Sequence, residues 1–77
     1  MKKVTIYTTP TCHFCHLAKD YFKENNVAYE EYNVAENMEK RTEMLNLTGQ
    51  MAVPVIKIDD YVTIGFDQAK VEELLAA

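Results

Sequence analysis

The chain contains little that would place it outside the soluble globular class. No apolar run is long enough to cross a bilayer. Met1-Lys2-Lys3 starts like the charged part of a leader, but alternating polar and apolar residues follow and no apolar leader core appears. Secretion and a membrane partner are therefore not expected, and the cytoplasm is the expected location. With only two glycines and two prolines, collagen-like and low-complexity chains are excluded, and no linker or repeat is visible. The few basic residues form no stripe, and the net charge is −4. A nucleic-acid partner is not expected, because phosphate neutralisation needs clustered Lys and Arg. Two cysteines are too few for a disulfide-stapled secreted scaffold. They are also too few for a four-ligand structural zinc site, which needs a second ligand pair.

What is present suits one small α/β domain over residues 1–77. The 77 residues are 48% hydrophobic, enough for one core and too few residues for two. Lys3–Thr8 alternates and is β-branched, so it reads as a strand with Val4 and Ile6 on one face and Thr5 and Tyr7 on the other. Pro10 disfavours helix at Thr9. A helix is expected to start near Thr11 or Cys12, with Thr11 as an acceptable N-cap. Along it, Cys15, Ala18 and Phe22 share one face, flanked by Phe14, Leu17 and Tyr21. Asn25-Asn26 ends it. Val27–Val34 reads as a second strand, with uncertain register because Glu30 and Glu31 are adjacent. Glu36–Leu47 reads as a second helix with Met38, Leu45 and Met44 as its buried stripe and Gly49 as terminator. Val53–Ile58 and Tyr61–Ile64 form a hairpin around Asp59-Asp60, a poorer turn than Asp-Gly. Asp67 then caps a last helix, Gln68–Leu75, which buries Val71, Leu74 and Leu75. The order is β-α-β-α-β-β-α, with a right-handed crossover expected in the first β-α-β unit.

The chemistry concentrates in Thr8–His16, which holds both cysteines and both histidines. Cys12 falls at a helix start, where unpaired N–H groups and the helix dipole favour a thiolate. Cys15 follows one turn later on the apolar face. Position divides the labour: Cys12 attacks a substrate disulfide, and the more buried Cys15 resolves the mixed disulfide. A protonated His13 would make the pair more oxidising, although a solvated side chain is the simpler reading of His13 and of His16. Lys19, four residues after Cys15, reads as a solvated helix residue rather than a proton donor. Cys12-x-x-Cys15-His16 also matches the c-type haem attachment pattern. Four strands and no export leader argue against that. Two inert core thiols, or a metal shared between two chains, remain as weaker readings.

Tyr7-Thr8-Thr9-Pro10-Thr11-Cys12-His13-Phe14-Cys15 between strand and helix, Ala52-Val53-Pro54-Val55 opening the hairpin, and Gly65-Phe66-Asp67 before the last helix together resemble the glutaredoxins over essentially the whole chain. The resemblance implies an α/β thioredoxin fold, a four-stranded mixed sheet in the order 2-1-3-4 with three helices. It implies that Pro54 is cis and faces the cysteines, leaving Val53 to bond an extended substrate as an added strand. It places substrate contacts at Thr9, His13, Phe14, Ala52, Val53, Pro54, Gly65, Phe66, Asp67 and Gln68. Several of these depart from the glutathione-using pattern. Thr9 stands where Lys or Arg is common, and Ala52 where Thr is common. Phe66 replaces the second Gly, and His13-Phe14 replaces Pro-Tyr. Gly-Phe instead resembles glutaredoxin-like reductants served by thioredoxin reductase. Asp67 and Gln68 offer a helix N-terminus to a carboxylate, with a plain N-cap as the simpler role for Asp67.

The expectation is a monomeric dithiol-disulfide oxidoreductase, an electron carrier acting in cell redox homeostasis. It would reduce protein or glutathione mixed disulfides with no bound cofactor and no metal. Glutathione or a thioredoxin-reductase-type flavoenzyme would be the external reductant. The alternative is a glutathione-dependent carrier of an iron–sulfur cluster.

Overall fold

A computed structural model describes residues 2–76. Seven elements follow in order: β1 (Val4–Thr8), α1 (His13–Glu24), β2 (Glu30–Asn33), α2 (Met38–Thr48), β3 (Val55–Ile58), β4 (Tyr61–Ile64) and α3 (Gln68–Ala76). The strands form one sheet in the order β2-β1-β3-β4. β1 runs parallel to β2, from Thr5 beside Glu30 to Thr8 beside Asn33. It runs antiparallel to β3, pairing Val4 with Ile58 and Tyr7 with Val55. The β3–β4 hairpin pairs Val55 with Ile64. The expected thioredoxin-type sheet order is therefore observed.

Both faces of the sheet are covered, which is why all five residues of β1 are buried. On one face Val4, Ile6, Ile56 and Ile58 pack against Ala18 and Phe22 of α1 and Val71 and Leu74 of α3. On the other, Tyr7 and Val55 pack with Val34, which follows β2, and with Met44 of α2. The alternation of β1 thus sends Ile6 and Tyr7 into two separate cores. Each fully buried aliphatic or aromatic side chain contributes about 1.5–3 kcal/mol.

The element boundaries correct the sequence reading in several places, each for a local reason. β2 begins at Glu30 rather than Val27. The Val27 amide donates to the Phe22 carbonyl at 2.8 Å, and the Asn26 amide donates to Lys23 at 3.3 Å. With Asn26 at φ 56°, this is a Schellman-type closure of α1, and it uses Val27 before a strand can. The N-cap of α1 is Cys12, not Thr11. Thr11 lies inside a turn closed by the Cys12 amide on the Thr9 carbonyl at 3.3 Å. α2 starts at Met38 rather than Glu36, because Asn37 is its N-cap and accepts from the Lys40 amide at 3.0 Å. Met38 therefore occupies the first helical position and is 61% exposed, while Met44 is fully buried. Leu45 is half-buried. β3 begins at Val55, after the Val53–Pro54 cis peptide. β1 starts at Val4 because Lys3 bonds the hairpin instead: its amide donates to the Asp59 carboxylate at 2.9 Å, and its carbonyl accepts the Asp59 amide at 2.9 Å. Those two bonds hold Asp59 at φ 52° without a glycine. Gly49 closes α2 in the left-handed region, as expected.

Candidate active site

The sheet register decides where the chemistry gathers. Tyr7 pairs with Val55, and Val55 with Ile64. The C-terminal end of β1, the start of β3 and the end of β4 therefore lie at one edge of the molecule. The segments that leave from them carry Thr9–Cys15, Ala52–Pro54 and Gly65–Gln68. A direct bond joins two of these segments, from the Gly65 amide to the Pro54 carbonyl at 2.7 Å. All twelve residues singled out in the sequence thus lie at the same end of the fold.

Cys12 holds the N-cap position of α1 in an extended conformation, φ −83° and ψ 110°. Its Sγ accepts the Cys15 amide at 3.2 Å, satisfying a donor that the helix start would leave unpaired. Cys12 is half-buried and Cys15 is fully buried. Their Cα atoms are 5.2 Å apart and the two sulfurs are joined as a disulfide, within the Cα range that such a bond spans. The burial gradient follows from helical periodicity: Cys15 shares its face with Ala18 and Phe22, both fully buried.

Around the pair, Phe14 is 58% exposed and meets His13 edge-on with centroids 5.7 Å apart. The His16 ring nitrogen Nε2 lies 3.2 Å from the Pro10 carbonyl, on the turn before the cysteines. Ala52 and Val53 are half-buried, and the Val53–Pro54 peptide is cis. The Val53 amide and carbonyl have no hydrogen-bond partner among the described residues. Gly65 adopts φ 86°. Phe66 is half-buried and packs on Tyr21 at 5.8 Å between centroids. The Asp67 carboxylate accepts the Lys70 amide at 3.3 Å, the N-cap role, and the Gln68 amide group donates to Glu72 at 3.2 Å.

One neighbouring feature was not foreseen. Glu31 on β2 accepts from the Thr8 hydroxyl at 2.8 Å and from the Lys19 ammonium at 2.9 Å, both on Oε2. The Lys19 bond holds the Glu31 carboxyl below the usual carboxylate range. Burial works against this shift, and Thr8 and the nearby His16 add to it. Lys19 is therefore a half-buried tie between α1 and β2, not a freely solvated residue. The sequence signal was the Glu30-Glu31 pair, which read only as broken alternation.

A glutaredoxin family model matches residues 4–62. The chain belongs to the glutaredoxin family. It is 42% identical to an uncharacterized glutaredoxin-like 8.6 kDa protein of the rubredoxin operon of Clostridium pasteurianum, over 94% of this chain and 96% of that one. A solved thioredoxin-like protein, BC3987 in mutant form, superposes with a TM-score of 0.91 at 37% identity, over 99% of this chain and 97% of that one. The glutaredoxin-like NrdH-redoxin of Escherichia coli, whose structure was solved to explain its thioredoxin-like activity profile, superposes with a TM-score of 0.81 at 29% identity, over 94% and 93%. This glutaredoxin is thus a redox protein whose Cys12 and Cys15 stand at disulfide distance. No described helix is long and apolar enough to cross a membrane.

Proposed function

We propose that this glutaredoxin is a dithiol-disulfide oxidoreductase that reduces disulfides of protein substrates, with Cys12 as nucleophile and Cys15 as resolving thiol. One observation carries the reading. Cys12 caps α1 and receives the Cys15 amide at 3.2 Å, while Cys15 is fully buried. A half-buried sulfur already accepting a backbone N–H is poised to carry negative charge. The reaction runs in two balanced steps. The Cys12 thiolate attacks one sulfur of the substrate disulfide, forming a mixed disulfide and releasing one substrate thiolate, which takes up a proton. Cys15, after losing its proton, attacks the Cys12 sulfur, expels the second substrate thiolate and leaves the Cys12–Cys15 disulfide. Two electrons have then passed from the protein to the substrate, and an external reductant must return them.

Substrate positioning falls to the rest of the same edge. Val53 offers an unpaired amide and carbonyl to an extended chain, which would add as a short strand. Phe14 and Pro54 would flank the substrate disulfide bound at Cys12, and Ala52, Gly65 and His13 would shape its approach. Thioredoxin reductase is the favoured reductant. Thr9 places no cation where a glutathione carboxylate would need one. Phe66 packs on Tyr21 where a second glycine would open backbone N–H groups. The Asp67 carboxylate is engaged by the Lys70 amide, and Gln68 is turned toward Glu72. The thioredoxin-like activity profile of NrdH-redoxin agrees with that preference. The protein would work as a monomer in the cytoplasm, with no bound cofactor.

The test supplies the oxidised protein with NADPH and either thioredoxin reductase or glutathione plus glutathione reductase, using a protein disulfide as final acceptor. NADPH oxidation is expected with thioredoxin reductase and at least tenfold slower with glutathione. Equal or faster turnover with glutathione would overturn the assignment of reductant. No transfer from either, with the protein folded, would overturn the activity.

A further inference from the structure

A groove of ≈ 420 Å³ runs between α1 and α3, beginning beside the redox edge. Leu17, Tyr21 and Phe66 give it an apolar floor, and Asp20, Glu24 and Glu72 stand on its rim. Leu17 is 40% exposed, and with Phe14 three residues earlier it makes an apolar stripe from the cysteines into the groove. Phe66 ties the floor to the Pro54 loop, because it follows Gly65, whose amide bonds the Pro54 carbonyl. None of the three carboxylates has an ion-pair partner among the described residues. No Lys or Arg lines the groove. The contrast with the polar hollow on the opposite face of the sheet is direct, since there Lys3, Lys40 and Lys57 offset Glu30, Glu43 and Asp59.

We propose that this groove docks an extended segment of the protein partner that carries a basic residue beside an aliphatic one, four to six positions from the partner's reacting cysteine. The proposal rests on the oxidoreductase reading and names the chemistry of its partner. An aliphatic side chain lies on Leu17 and Phe66, and Lys or Arg stems cover the same floor while their charged ends reach the rim. The spacing comes from geometry. Asp20 and Glu24 lie eight and twelve residues beyond Cys12, ~12 Å and ~18 Å along the helix at ~1.5 Å per residue. An extended chain spans that distance in about four to six residues. Rim charges of one sign also steer approach and orient the partner's disulfide toward Cys12.

Two synthetic peptides with the same internal disulfide provide the probe. One carries Leu-Arg-Lys four to six positions from its cysteine, and the other carries Leu-Glu-Asp there. The reduced protein should react with the basic peptide about tenfold faster at low salt, and the advantage should shrink at about 200 mM salt. The groove variant Asp20→Asn/Glu24→Gln/Glu72→Gln should lose most of the advantage. The variant Glu36→Gln/Glu39→Gln/Asp60→Asn removes equal charge elsewhere and should keep it. Reduction of a small neutral disulfide should be unchanged in both. Equal loss in the two variants would assign the preference to net charge and overturn the docking site, as would equal rates on the two peptides. Failure to reduce the neutral disulfide at all would remove the oxidoreductase reading itself, and the docking proposal with it.

Discussion

Replacing Glu31 by glutamine keeps the shape of the side chain and removes its charge. In the native protein two donors converge on Glu31 Oε2, the Thr8 hydroxyl at 2.8 Å and the Lys19 ammonium at 2.9 Å. The Lys19 and Glu31 side chains are 18% and 36% exposed, so solvent screens much of the pair and it contributes about 0.5–1 kcal/mol. Glutamine still accepts from Thr8, but as a neutral acceptor, costing about 0.5 kcal/mol more. The expected loss is about 1–1.5 kcal/mol at pH 7. With unfolding entropy near 2.1 cal/mol/K per residue, 1 kcal/mol is worth about 6 °C in a chain of this size, so Tm should fall by about 6–9 °C. The pH dependence has a definite sign. The folded-state carboxyl of Glu31 is held below its ordinary value. Its contribution is therefore complete above the unfolded carboxylate range and is lost as pH falls through the lower folded value. The difference between native protein and variant should close as the pH drops below about 4. Thermal unfolding followed by circular dichroism at pH 7 and at about pH 3, with the disulfide intact in both proteins, reads both numbers. A fall of under 2 °C at pH 7, or an equal fall at both pH values, would refute the reasoning.

Four other substitutions test separate parts of the structure. Met44→Ala should cost about 2–4 kcal/mol because Met44 is fully buried, and Met38→Ala under about 0.5 kcal/mol because Met38 is 61% exposed; urea midpoints compare them directly. Tyr7→Phe removes a 2.5 Å bond to Glu43 and should cost about 1 kcal/mol at pH 7. Burial and Glu43 raise the Tyr7 phenol, so its contribution is complete below about pH 10 and lost as pH rises through the higher folded value. Native protein should therefore lose more stability than the variant in strong base, as urea titrations at both pH values would show. Gly49→Ala should cost about 1–2 kcal/mol from backbone alone, since φ is 71° and nothing lies within 4 Å of the added Cβ; a larger loss of Tm than this implies would mean that the new methyl group clashes.

The gathering of Cys12, Pro54 and Gly65 was implied only by the resemblance to the glutaredoxins, whereas the order of elements and the buried face of α1 were legible because each rests on a local signal. Those signals are alternation in β1, helical spacing of Cys15, Ala18 and Phe22, and punctuation by Pro10, Gly49 and Asp67. The misread features depend on competition for backbone groups that composition does not display. Val27 looks like strand, yet its amide closes α1 on Phe22. Thr11 is a better N-cap type than cysteine, yet the turn from Thr9 hands that position to Cys12. Met38 and Met44 look interchangeable until Asn37 fixes the start of α2. The Glu31–Lys19–Thr8 tie joins three elements, so no single stretch announces it. The same holds for the groove, whose floor pairs Leu17 and Tyr21 of α1 with Phe66.

The division of labour between the two sulfurs is the central claim, and trapping the mixed disulfide tests it most directly. Cys15→Ser, reduced and then mixed with an excess of a disulfide-bearing protein, should accumulate a covalent adduct at Cys12, seen by intact mass and released by dithiothreitol. Cys12→Ser under the same conditions should form no adduct and reduce no substrate, because the remaining thiol is fully buried. An adduct at Cys15 in Cys12→Ser, formed as fast as the one at Cys12, would contradict the account.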